Sequence, residues 1–230
     1  MSQPRHRFRL VIFDVDGTLV DSQHAILAAT AAAFAGEGLP VPAPSEVRRQ
    51  VGLGVEEAIA RLVPEGEEVV RRRLALAFRE AAQAIRRRPD YTEPLYPGIR
   101  EALEGLVHPT VFLGIATGKA RRGLDHTLES HGIAGLFQTL QTADGNPSKP
   151  HPAMLVNAMA ETGVKAAETV FIGDTVFDMA MAAGAGTAGV GVAWGYHGTD
   201  DLRAAGAQRI IQEAAELGPA LTKLGARSCD

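Results

Sequence analysis

The chain has a single cysteine, Cys229, only four lysines, at 119, 149, 165 and 223, and no long apolar run. One thiol cannot close an intramolecular disulfide, which sets aside the disulfide-stapled secreted scaffolds and points to a reducing cytoplasm. No stretch approaches the roughly 18 apolar residues of a membrane span. Arg5, Arg7 and Arg9 precede an apolar segment that breaks at Asp14, which is too short for the core of a signal peptide. Excess positive charge is missing as well. A formal net charge of -4 and a pI near 6.0 provide no general pull toward nucleic acid or an anionic membrane, so any anion site must be local.

What is present begins with Leu10-Val11-Ile12-Phe13, an apolar run that reads as a parallel strand buried on both faces. It gives out at Asp14-Val15-Asp16-Gly17-Thr18, where Gly17 permits a sharp exit from the sheet. Asp14 and Asp16 are therefore expected together at a strand's carboxyl end, where ligands of open parallel sheets bind. Carboxylates this close raise each other's pKa unless a cation intervenes, and a divalent metal is the simplest one.

At 230 residues and 46% hydrophobic content the chain has room for one to two domains and a full core. Residues 21–96 carry helical patterns and no convincing strand. One is alanine-rich, from Ser22 to Ala35; another, from Glu67 to Arg88, sets Val70, Leu74, Phe78, Ala81 and Ile85 on one face. Pro94-Leu95-Tyr96-Pro97-Gly98 reads as a hinge. Beyond it helix and strand alternate: Ile99 to Leu106, Thr110 to Ala116, Ala120 to His131, Leu136 to Gln141, Pro152 to Thr162, Thr169 to Ile172, Val176 to Ala183 and Thr187 to Val192. The expectation is an α/β protein: a doubly wound parallel sheet from residues 1–20 and 97–230, with a small all-helical unit, residues 21–96, inserted after the first strand.

Three further polar sites fall where expected strands end. Thr117-Gly118-Lys119 follows one strand and opens a helix, whose first amides favour phosphate. Ser148-Lys149-Pro150 places an ammonium before a proline-led helix. Gly173-Asp174 ends a third strand, with Asp178 one helical turn on, and two acids on one face suit a magnesium site of oxygen ligands. Each has a plainer reading: Thr117 as a helix cap, Asp178 as a first-turn acid favoured by the helix dipole, Lys119 as the start of an exposed helix. Gly184-x-Gly186-x-x-Gly189 matches a dinucleotide fingerprint as a string, but it follows a helix and leads into a strand, so it reads as a helix end. The arginine runs 71–73 and 86–88 sit in a nearly neutral segment, 11 acids against 10 basic residues from Asp21 to Glu93, and read as a solvated helix face. The histidines lack ligand spacing and are assigned no metal.

In order and spacing, Asp14-x-Asp16-Gly-Thr, Thr117, Lys149 and Gly173-Asp174-x-x-x-Asp178 resemble the four motifs of the haloacid dehalogenase-like superfamily. The helical insert resembles its mobile cap, and Ala193-Trp194-Gly195-Tyr196 resembles the phosphoglycolate phosphatase branch. The resemblance implies that Asp14 attacks phosphorus to form an aspartyl-phosphate, while Asp16 protonates the leaving oxygen and then activates water. Asp16 would have to begin protonated, promoted by Asp14 and by burial under a closed cap. It implies magnesium held by Asp14, the Asp16 carbonyl oxygen and Asp174, with Asp178 in support. Thr117, Gly118 and Lys149 would bind the phosphoryl oxygens, Lys149 preferred over Lys119 because its Ser-Lys-Pro setting fits the family. Arg48 and Arg49, in a segment similar to the family's substrate-contact loop, would bind a carboxylate or second phosphate.

Asp16 argues against a dehalogenase, and the absence of a lysine from the insert argues against phosphonate hydrolysis. The expected activity is magnesium-dependent hydrolysis of a small, phosphoglycolate-like phosphomonoester by a cytoplasmic monomer or homodimer, with no nucleic-acid or membrane partner. A sugar-phosphate phosphomutase of the same fold and a non-hydrolytic phospho-aspartate switch or inactive binding relative stand as alternatives.

Overall fold

A computed structural model of the protein describes residues 7–226; Cys229 and Arg5 lie outside them. The apolar run forms β1 (Leu10–Phe13), and four more elements continue the sheet domain's first half: α5 (Ile99–Leu106), β2 (Phe112–Thr117), α6 (Arg121–Ser130) and β3 (Thr139–Thr142). Between β1 and α5 stand α1 (Gln23–Gly36), α2 (Pro44–Arg48), α3 (Val55–Leu62) and α4 (Glu68–Arg86). The chain then runs through α7 (Ala153–Thr162), β4 (Thr169–Gly173), α8 (Val176–Gly184), β5 (Ala188–Val192), α9 (Thr199–Ala204), β6 (Arg209–Ile211) and α10 (Leu217–Ala226).

All six strands are parallel, in the order β3-β2-β1-β4-β5-β6, so β1 is central and Phe13 pairs with Ile115 on one side and Ile172 on the other. Alternate residues of β1 feed different cores. Val11 and Phe13 pack with residues of α5, α6 and α10, whereas Leu10 and Ile12 pack with residues of α7 and α8. Apolar burial on both faces explains why the run is continuous rather than alternating. The doubly wound α/β fold expected from the sequence is the one found.

The insert has a core of its own. Ala33 and Phe34 of α1, Ile59 of α3 and Leu74 and Ala75 of α4 are buried together, with Val70 and Phe78 packed against them. Its two connections to the sheet run side by side: Asp21 N–H donates to the Pro94 carbonyl (2.8 Å), Tyr96 N–H donates to the Leu19 carbonyl (2.9 Å), and Val20 bridges Leu95 antiparallel. The expected hinge segment is thus one half of a paired linker.

Differences from expectation are local. The expected strand from Leu136 starts at Thr139, because Ala134–Leu136 closes a 3-10 turn first. After Val192 the sequence offered no clear pattern, yet β6, α9 and α10 follow. β6 is only three residues long, shorter than any window in which alternation can be counted. Gly186, with φ of 69°, ends α8 in the left-handed conformation and turns the chain toward β5, the role expected for that glycine string.

Candidate active site

Asp14 extends β1 by one residue, its N–H donating to the Ile172 carbonyl (2.9 Å), which fixes its side chain at the carboxyl edge of the sheet. It is 1% exposed. Lys149 Nζ is paired with its Oδ1 at 2.9 Å, and the buried Oδ2 of Asp14 has no donor among the described residues. Burial pushes the Asp14 carboxyl up to about 7, helped by the Asp178 and Asp16 charges and opposed by Lys149.

Asp174, directly after β4, is fully buried. Its Oδ1 accepts from Thr18 Oγ1 and its Oδ2 from the Tyr196 N–H, each at 2.8 Å. Burial, then the Asp178 and Asp14 charges, raise it well above the usual carboxylate range. Asp14, Asp174 and Asp178 each place a carboxylate oxygen within 4.8 Å of the others. Three buried acids facing one ammonium leave negative charge uncompensated, and Asp14 Oδ2 has no donor among the described residues. That donor set fits a hard divalent cation such as magnesium, which takes oxygen ligands.

Lys149 is 1% exposed, at the end of the loop that follows β3, and is 2.7 Å from Asp178 Oδ1 as well as 2.9 Å from Asp14. Burial would lower its pKa, but the two carboxylates more than offset this and raise it, so it stays an ammonium. Asp178 is also a first-turn acid of α8, the position its plainer reading gave it, and there it takes part in the cap. Its Oδ2 accepts from Thr175 N–H (2.9 Å) and Thr175 Oγ1 (2.7 Å), while Asp178 N–H donates to Thr175 Oγ1, a reciprocal cap at the start of α8. With both oxygens engaged, its place in the cluster is to hold Lys149 as well as to add charge.

Lys119 is where the structure corrects the sequence reading. It does not begin an exposed helix: α6 starts at Arg121, and the Lys119 side chain is only 10% exposed. Its Nζ donates to Asp16 Oδ1 (2.9 Å), Glu93 Oε1 (2.5 Å) and Thr127 Oγ1 (3.3 Å), and Thr127 Oγ1 donates in turn to Glu93 Oε2 (2.6 Å). The consequence for Asp16 is a second correction. Burial alone would raise its carboxyl, but the Lys119 charge, with a hydrogen bond from Ser22, holds it below the ordinary value. In this arrangement Asp16 is ionised, not protonated.

Thr117 is buried at the end of β2, and its Oγ1 accepts from the Lys119 N–H (3.2 Å) rather than capping α6. The first amide of α6, that of Arg121, is taken by Asp144 Oδ2. Gly118 meets the insert. A Cβ there would collide with the Gly52 and Leu53 carbonyl oxygens, and the Gly54 N–H donates to Ser148 Oγ (2.9 Å), so the turn after α2 is seated on the loops of the sheet domain. Gly17, with φ of 87°, admits no Cβ either, since one would strike Asp174 Oδ2 and the Tyr196 ring.

A cavity of about 340 Å³ lies between these loops and the insert, lined by Asp14, Asp16, Thr117, Gly118 and Lys119 on the sheet side. Arg48 and Arg49 are not among its lining residues, contrary to expectation. Arg48 donates to Gln23 Oε1 (3.3 Å) on α1, and Arg49 is exposed; α2 and the turn after it bring Val47, Gln50 and Val51 to the cavity instead. Sequence reasoning also missed Thr18, Ser22, Glu93 and Tyr196. Thr18 lay inside the Asp-Gly-Thr string, and Ser22 was only the start of the alanine-rich pattern; it makes no cap hydrogen bond and lies 3.2 Å from the Tyr196 hydroxyl.

Comparison with known proteins agrees with this geometry. The family model described as haloacid dehalogenase-like hydrolase matches residues 11–192. A protein named probable phosphatase IndB, from Dickeya dadantii, is 36% identical over 214 residues, covering 90% of this chain and 91% of its own. A phosphoglycolate phosphatase of Vibrio parahaemolyticus is 29% identical, covering 91% and 94%. The solved structure of a hydrolase from Pseudomonas syringae superposes with a TM-score of 0.83 at 26% identity, covering 94% of this chain and 99% of that one. With its four strand-end motifs at one site and a family match over most of its length, the chain belongs to the haloacid dehalogenase-like hydrolases.

Proposed function

We propose that the protein is a magnesium-dependent phosphatase that hydrolyses a phosphomonoester through an aspartyl-phosphate on Asp14. The observation that carries this is Asp14 itself: a buried carboxylate paired through one oxygen with Lys149, with no donor at the other among the described residues, close to Asp174 and lining a cavity. Relatives named phosphatase and phosphoglycolate phosphatase support the reaction class, and phosphoglycolate is the first compound their names suggest.

In this reading Asp14, the Asp16 carbonyl and Asp174 hold the metal, which offsets the repulsion between carboxylate and phosphate when bound. Asp14 attacks phosphorus. Thr117 and Lys149 orient the phosphoryl oxygens, and Asp178 keeps Lys149 in place. Asp16 donates a proton to the leaving oxygen and later takes one from the attacking water. The ionised state favoured by Lys119 suits the second step, so the first requires that contact to loosen as substrate enters. The insert acts as a cap that excludes water. A phosphomutase acting on sugars is less well supported, because the walls contributed by the insert are mostly apolar and match the hydroxyls of a sugar poorly.

Steady release of phosphate from para-nitrophenyl phosphate with magnesium tests the reading. Asp14→Asn should reduce turnover by a factor on the order of 10⁴ or more while circular dichroism stays unchanged. Release that stops at one equivalent would favour the phospho-aspartate switch, and undiminished turnover by the variant would refute the nucleophile.

A further inference from the structure

The walls of the cavity differ sharply in chemistry from its floor. Above Asp14 and Asp16 the insert contributes Ile26 of α1, Val51 and Leu53 of the turn after α2, Ala58 and Ile59 of α3 and Phe78 of α4. Val51, Leu53 and Ile59 are each less than 10% exposed and are ordered by packing; the insert's polar groups here are few, and Thr30 and Gln50 already donate to the Ile26 and Glu46 carbonyls. The charges that reach the cavity do not change this. Arg79 is tied to Glu56 on α3, and Lys119 is held by Asp16 and Glu93. Arg86 and Arg122 are shared with the lining of a second depression, so they lie where the two adjoin. Such a site holds an anion on its floor and offers the non-reacting part of the molecule a largely apolar chamber. At about 340 Å³ the chamber is at the lower end of the range of small-molecule pockets, which runs from roughly 300 to 1,000 Å³.

We infer that the natural substrate is a phosphomonoester with an apolar leaving group, an alkyl or aryl body, rather than a compact phosphorylated acid. The inference rests on the phosphatase reading above and specifies its substrate class. A second carboxylate, as in phosphoglycolate, would enter a chamber from which Arg48 and Arg49 are absent and where Arg79 and Lys119 are already paired with Glu56, Asp16 and Glu93, so it would have to compete with those acids for a partner. Each methylene removed from water, by contrast, favours binding.

The test compares kcat/KM for n-alkyl phosphates from methyl to hexyl, for phenyl phosphate and for phosphoglycolate, using the full chain with saturating magnesium. The alkyl series should rise about fourfold per methylene until the chamber fills, with phosphoglycolate below the longer members. A flat series, or phosphoglycolate as the best substrate, would overturn the inference while leaving the phosphatase reading standing. No turnover of any compound would overturn both. Ala58→Leu, a change that a helix tolerates, should move the optimum to a shorter chain, and Ile26→Asn should flatten the slope. Thermal melts establish that each variant is folded. An Ala58→Leu profile identical to that of the parent counts against the assignment.

Discussion

Lys119 joins carboxylates from two distant parts of the chain: Asp16, from the turn after β1, and Glu93, from the linker that closes the insert. Removing a buried cation leaves its partners uncompensated, so Lys119→Met should cost about 3–5 kcal/mol in urea unfolding, and adding Glu93→Gln should restore part of that loss. A cost near zero, or one that the second change does not relieve, would mean the three groups are effectively solvated. The residue also shows where reading the string stops. Thr-Gly-Lys-Ala-Arg-Arg carries local signals of a basic helix start, whereas the environment of Lys119 is set by an acid 26 residues earlier. Asp14 and Asp174 were legible because each lies just past an apolar strand. Arg48 and Arg49 were not, because a helix of five residues can present either side to a cavity and its composition does not say which.

Among the elements, α8 couples folding to the site most directly. Thr175 caps its N-terminus and orients Asp178, which grips Lys149. Thr175→Ala should therefore destabilise the protein by about 1 kcal/mol, as measured in denaturant, and should also lower kcat with little change in KM. Loss of stability with unchanged kcat would separate the cap from the chemistry. Elements with strong periodicity were readable to within a residue or two: α5 spans Ile99–Leu106, as its spacing predicts, and α4 ends two residues before the expected Arg88. The edge strand β6 was not, since three residues beside a single neighbour need little pattern of their own.

At the scale of the molecule, three acids gathered under the insert make the metal-free protein electrostatically frustrated, and a cation bound only by the folded state should stabilise it. Magnesium at 100 times its dissociation constant contributes about 2.7 kcal/mol, which for a chain of this size raises the melting temperature by roughly 5–10 °C. Calorimetry with and without chelator checks this; Asp174→Asn should abolish the shift, and a shift that survives in that variant would place the ion elsewhere. The topology was legible because strands spaced by single helices leave few ways to build a parallel sheet. The seating of the insert on the sheet was not, because it depends on main-chain atoms.

That seat has an evolutionary reach. Where Gly118 meets the Gly52 and Leu53 carbonyls, and Gly54 meets Ser148, the contact is made of backbone and one hydroxyl, while elsewhere Arg61 of α3 lies over the Phe177 ring of α8. Wall residues outside these contacts, such as Ala58 and Phe78, can therefore change one at a time without touching the seat. A chain built this way can change what it accepts while keeping what it does.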